Sequence, residues 1–177
     1  MRKHLYCYLI TFVAVTVQAL ASGLSTNEWG VGTNNVKMSI YLAGSNEEIK
    51  IGKPLKLIAR FKNISTNEVF HLHQARELTE VADYSFFIDF PSGKRVSALS
   101  KAPIIGSDMG SNIGPNETFE CELKVDKVCQ LDEVGTYKII VQREIWGPFE
   151  KRKEKGNVVE MPTFTIISNP LLLQIVK

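Results

Sequence analysis

Residues 116–144 read NETFECELKVDKVCQLDEVGTYKIIVQRE, and the reading of this stretch decides the fold. Phe119, Cys121, Leu123 and Val125 alternate with Glu120, Glu122 and Lys124. Successive side chains of a strand point to opposite faces, so a period of two buries the first set and leaves the charges in water. Tyr137, Ile139 and Val141 then alternate with Lys138, Ile140 and Gln142, a second strand. Between the two lie a short loop holding Val128 and Leu131 and a turn at Asp132-Glu133-Val134-Gly135.

The same period recurs on both sides. Val36, Met38 and Ile40 alternate with Lys37, Ser39 and Tyr41, and Leu55, Leu57, Ala59 and Phe61 alternate with Lys56, Ile58, Arg60 and Lys62. Residues 47–54 between them form a connector with a turn signal at Gly52-Lys53-Pro54. Val69 to His73 is a short strand, Gln74 to Asp83 a long loop or a single helical turn, and Tyr84 to Phe90 a strand closed by Pro91-Ser92-Gly93-Lys94. Ser97 to Asn112, with Pro103, Gly106 and Gly110, reads as an irregular connection, and residues 150–155 (EKRKEK) as a solvated hairpin tip. Pro162 and Pro170 each remove a ladder donor, so both belong at strand ends or on an edge. No stretch beyond the N-terminal apolar run has a helical period. The predicted fold is all-β: a single antiparallel sandwich over 36–177, with Leu57, Ala59, Phe61, Phe119, Leu123, Ile139 and Val141 facing the core. Gly135 two residues before Tyr137 resembles the tyrosine corner of immunoglobulin-like sandwiches, where the phenol bonds back to the preceding loop.

Arg2, Lys3 and His4 precede an apolar run from Leu5 to Val17, and Ala19 and Ala21 stand two apart before Ser22. This is the pattern of a secretory signal peptide, with cleavage between Ala21 and Ser22. The apolar run is short of the roughly 20 residues that a spanning helix needs. The predicted product is secreted or periplasmic, with no membrane insertion after cleavage. Residues 22–35 are polar and glycine-rich and read as a flexible arm whose one anchor is Trp29. Of 21 basic and 19 acidic residues the leader takes Arg2 and Lys3, so the remainder is balanced at 19 of each. A balanced charge argues against a nucleic-acid partner, since phosphate binding needs a surplus of Lys and Arg.

Removing residues 1–21 from the 177 leaves two cysteines, Cys121 and Cys129. Cys121 stands four residues before the strand end at Val125, about 13 Å back along it at roughly 3.3 Å per residue. A disulfide needs Cα atoms within about 7 Å, so the expectation is two buried thiols. His71 and His73, two apart on a short strand, share a face and could share a metal ion, with Glu77 and Glu80 as further ligands if the next loop folds back. Two exposed sheet residues are the simpler reading, and no metal or cofactor is expected. There is no Gly-x-Ser-x-Gly elbow and no glycine-rich phosphate loop ahead of a helix. Asp132-Glu133 is turn chemistry, so no catalytic residue is assigned. Asn63-Ile-Ser and Asn116-Glu-Thr match the glycosylation sequon at strand ends, where acceptors would be reachable, but the reading is of asparagines doing turn work.

Five local patterns, in order, carry a resemblance to a known family. They are Ile51-Gly52-Lys53-Pro54-Leu55 leading into a strand that ends Phe61-Lys62-Asn63-Ile64-Ser65; Tyr84 to Lys94; Ile113-Gly114-Pro115-Asn116-Glu117; Leu131 through Tyr137; and Ser168-Asn169 before Leu171 to Val176. Together they resemble bacterial sandwich domains similar to the intracellular proteinase inhibitor family, over about 36–176. The resemblance implies an immunoglobulin-like fold and, as one function, inhibition through an exposed loop, Gln74 to Asp83 or Ser97 to Asn112. The expectation favoured by the residues themselves is a non-catalytic interaction domain for a protein or cell-envelope partner. Metal handling through His71 and His73 is a further alternative.

Overall fold

The computed structural model describes residues 28–44, 49–73, 84–100, 110–148 and 162–177. They form eleven strands: β1 (Val36–Leu42), β2 (Ile49–Lys50), β3 (Lys56–Asn63), β4 (Phe70–His73), β5 (Tyr84–Asp89), β6 (Arg95–Ser100), β7 (Gly110–Ile113), β8 (Thr118–Lys124), β9 (Gly135–Trp146), β10 (Thr163–Ile167) and β11 (Leu171–Val176). The single helical turn among the described residues is a 3-10 turn at Val125–Lys127. One sheet is β1-β3-β8, and the other is built on β9.

The long strand β9 carries neighbours on both edges, each edge made of two strands in line. On one side β11 pairs with Gly135–Ile139 and β10 with Gln142–Trp146. On the other, β5 pairs with Lys138–Arg143 and β4 meets Trp146 through His71. Outside these, β6 pairs with β5 and β7 with β4. The order is that of an immunoglobulin-like sandwich, with three strands facing a wider sheet that adds a strand beyond the third. All pairings are antiparallel except one: β2 runs parallel to β11 over two residues. That is a departure from the purely antiparallel expectation.

Period two sets what is inside. Val36, Met38, Ile40, Leu57, Ala59, Phe61 and Leu123 of the first sheet meet Phe86, Ile88, Tyr137, Ile139, Val141, Ile145, Leu173 and Ile175 of the second, all buried. Phe119 is inward but only half-buried, because β8 is an edge strand. Both ends of the stretch read as irregular, Ser97 to Asn112, belong to strands: it begins inside β6 and ends inside β7. Strand β6 exposes Leu99 (68%) while its inward positions hold only Val96 and Ala98, and β7 reads Gly-Ser-Asn-Ile, so neither shows an apolar alternation.

The other edge of the small sheet is sealed. The Ile40 N–H donates to Asn169 Oδ1 at 2.8 Å and Gly30 N–H donates to Met38 O at 2.8 Å. Ser168, between β10 and β11, accepts the Val141 N–H on Oγ at 3.0 Å and donates to Asn169 O at 2.8 Å. The Ser168-Asn169-Pro170 break thus joins the sheets, and Pro162 and Pro170 lie at strand ends as expected. Gly30 is what this seam admits: a Cβ there would stand 2.1 Å from Ile167 O. So within the arm read over 22–35, residues 28–35 are docked through Gly30, with Trp29 half-buried beside it.

Candidate functional site

At the end of the sandwich where β8 gives way to β9, two segments stand apart and leave a cleft of about 420 Å3. One wall is residues 49–54, which include β2 and the turn at Gly52; the other is Asp126 with Cys129–Asp132; Leu55 and Ile175 line it as well. Leu55 and Ile175 are core residues, so the floor is apolar, while Lys50, Lys53, Asp126, Gln130 and Asp132 are exposed at the rim. The volume is within the roughly 300–1,000 Å3 range of small-molecule pockets.

Both walls are held by backbone bonds. Ile51 N–H donates to Val176 O at 2.9 Å, tying the first wall to β11, and Val125 N–H donates to Leu55 O at 3.0 Å. The second wall is fixed by Tyr137, whose hydroxyl accepts the Glu133 N–H at 2.8 Å and donates to Glu133 O at 3.1 Å. This is the tyrosine corner that Gly135-x-Tyr137 predicts. The Tyr137 ring is buried against Phe90, centroids 5.0 Å apart. Gly135 has φ +136° and its missing Cβ would stand 2.8 Å from Pro91, so only glycine fits. Glu133 in turn binds Ser92 through the backbone N–H at 3.0 Å and Oγ at 2.9 Å, which closes the loops of this end on one another.

Cys129 is the one thiol on the cleft among the described residues. Burial pushes its pKa up, Lys94 pulls it down and Asp132 raises it. A nucleophilic cysteine needs the opposite, a depressed pKa that supplies thiolate near neutral pH. Cys121 is also a thiol, inward on β8, with Sγ 2.9 Å from the Tyr84 hydroxyl. Both are only half-buried, against the expectation of full burial. Above Tyr84, 4.4 Å from its ring centroid, lies the buried guanidinium of Arg143, which also faces Phe61 at 5.7 Å. Arg143 and Tyr84 are register partners on β9 and β5, so period two points both into the core.

His71 lies on β4 with Nδ1 2.8 Å from the Asn112 amide oxygen on β7, on the face opposite the buried Phe70 and Leu72. His73 is the next residue but one, paired in register with Gly110. Among the described residues no three His, Cys, Asp or Glu side chains stand close enough together to hold a metal ion. Glu77, Glu80, Ala21, Ser22 and the whole of Gln74 to Asp83 lie outside the described residues. So does the middle of Ser97 to Asn112, whose two ends are β6 and β7. Asn63, expected to be reachable, is fully buried: its amide donates to Glu68 O at 2.7 Å and Ile113 O at 3.1 Å, and its oxygen accepts the Ser65 N–H at 2.9 Å. Asn116 adopts φ +60° in the turn before β8. Asparagine here is turn chemistry at both positions.

No family model matches the chain, and no curated protein matches it. Among solved structures it is similar to Northeast Structural Genomics Consortium target SoR45, at 12% identity over 82% of this chain and 90% of that one, with a TM-score of 0.48. It is also similar to the C-terminal domain of wzt, at 12% identity over 88% of this chain and 81% of that one, with a TM-score of 0.37. The strand order and registers, rather than these likenesses, establish the immunoglobulin-like sandwich.

Proposed function

We propose that this chain is an exported, non-catalytic binding domain and that the end cleft is where its ligand sits. The observation that carries the reading is the cleft itself: a concavity with an apolar floor and a polar rim, on walls fixed by the core, is the default form of a binding site. Its chemistry favours holding over reacting. The thiol on it is pushed toward the protonated form, and the lining holds no imidazole to activate it. Export rests on the leader pattern ending at Ala21, and the partner is then a protein or a cell-envelope component.

The test is chemical-shift mapping of the purified protein against a library of small fragments, with Leu131→Trp as the variant that fills the cleft. Shifts confined to 49–55 and 126–132 and lost in the variant are the expected result. Shifts confined to another face, or none with any fragment, would overturn the assignment. For export, N-terminal sequencing of material from outside the cytoplasm should begin at Ser22, and an intact leader on that material would contradict it.

A further inference from the structure

The two walls of the cleft carry opposite charge. Residues 49–54 contribute Lys50 and Lys53 and no acid, whereas the facing wall contributes Asp126 and Asp132 and no base. Elsewhere on the described surface, opposite charges at close quarters have found one another. Arg60 pairs with Glu120, Lys56 with Glu122 and Arg95 with Asp89. The four cleft charges form no ion pair among the described residues, so the cleft is not closed by its own side chains. Between them lie Leu55 and Ile175, 3% and 1% exposed, with Ile49 and Leu131 half-buried at the sides.

We infer, on the reading that this cleft is the ligand site, that its ligand is a small zwitterion with apolar side chains: a short apolar peptide with both termini free. Its carboxylate faces Lys50 and Lys53, its ammonium faces Asp126 and Asp132, and its side chains lie on the Leu55–Ile175 floor. A neutral apolar ligand would leave both charged walls without partners, and a ligand of one sign would meet one attractive wall and one repulsive one. The size agrees. A cleft of about 420 Å3 lies toward the lower part of the roughly 300–1,000 Å3 range of small-molecule sites, the class to which a dipeptide belongs. Both ends of such a ligand are matched by charge and neither by a buried pocket, so recognition is of the charge pattern and the apolar body rather than of one residue.

The experiment is calorimetry and chemical-shift mapping of the purified protein with leucyl-leucine, its N-acetyl derivative, its C-terminal amide, the doubly capped compound and glycyl-glycine. Leucyl-leucine is expected to bind in the cleft, each single cap to weaken it about fivefold, the effect of an exposed charge pair, and glycyl-glycine to bind least. In Lys50→Gln/Lys53→Gln the C-terminal amide should bind as well as the free dipeptide, and in Asp126→Asn/Asp132→Asn the N-acetyl derivative should. These variants change surface groups only, and unchanged thermal unfolding is the control. If the doubly capped compound binds in the cleft as tightly as leucyl-leucine, the zwitterion inference is wrong while the cleft remains the binding site. If no compound, charged or capped, moves a resonance of the cleft, the inference fails outright, and the fragment library then decides the fate of the site.

Discussion

Replacing Tyr137 by Phe removes one oxygen from the interior and nothing else, so its cost can be worked out from two contacts. The hydroxyl accepts the Glu133 N–H at 2.8 Å and donates to Glu133 O at 3.1 Å. A neutral hydrogen bond nets about 1 kcal/mol, and a donor left without a partner away from water costs about 1–3 kcal/mol. The ring stays packed on Phe90, so no cavity term is added. The expected loss is about 2 kcal/mol, and for a domain of this size that lowers the melting temperature by about 4–8 °C. The assay is urea and thermal unfolding of both proteins, read with amide exchange. The urea slope should be unchanged, and protection should fall first in 128–134, the wall of the cleft that the corner anchors. A loss under about 0.5 kcal/mol would refute the reasoning, because it would mean that water replaces both bonds at no cost and that the corner does not hold the loop.

Gly30→Ala should cost about 1–3 kcal/mol, since its Cβ would meet Ile167 O at 2.1 Å, and should red-shift tryptophan fluorescence as Trp29 is freed; an unshifted spectrum would show the arm is held elsewhere. Ser168→Ala strands the Val141 N–H at the centre of the sheet and should cost about 1–3 kcal/mol in chemical denaturation, with near-neutrality the contrary result. Burial raises the Tyr84 phenol far above its ordinary pKa of about 10. The folded chain therefore holds that proton more tightly than the unfolded one. The associated stability is complete below about pH 10 and is lost as pH rises above it. Tyr84→Phe should flatten the decline between about pH 10 and 12, and an identical slope would contradict this. Cys129, raised by burial, should alkylate with iodoacetamide at pH 8 more slowly than in the urea-unfolded chain, and equal rates would count against a burial effect.

What was legible in the sequence was whatever burial on one face writes into a period of two. Strands β8 and β9, the inward Val36, Met38 and Ile40, and the corner at Gly135-x-Tyr137 were readable because each is local. Strand β6 was not, because it is an outermost strand paired only with β5, its inward Val96 and Ala98 are only half-buried and its Leu99 is exposed. Arg143 shows the converse failure. Continuing the parity of Tyr137, Ile139 and Val141 puts it inside, where a charged residue is unexpected until Tyr84 and Phe61 are seen against it. The cleft left no trace at all. Its walls come from 49–54 and from Asp126 with 129–132, which the sequence marks only as turn and loop, and the β2–β11 pair together with the Val125–Leu55 bond brings them together in the fold.

The registers around β9 imply that β4 and β5 are two halves of one strand line, and β7 and β6 two halves of another. Continued by two residues from His71 opposite Trp146, strand β4 reaches the level of Glu144 at His73, and β5 resumes at Tyr84 opposite Arg143, the very next residue. On the outer strand, Gly110 stands opposite His73 and Ser100 opposite Tyr84. Even the alternation survives: Leu72 and Tyr84 are both inward, with one position between them. The described ladder therefore crosses the junction with no shift in register. A chain spliced directly from His73 to Tyr84 and from Ser100 to Gly110 would carry one unbroken hairpin with the same residues inside. Strands β4 and β5, and with them β7 and β6, are therefore paired as one continuous flank of the sheet.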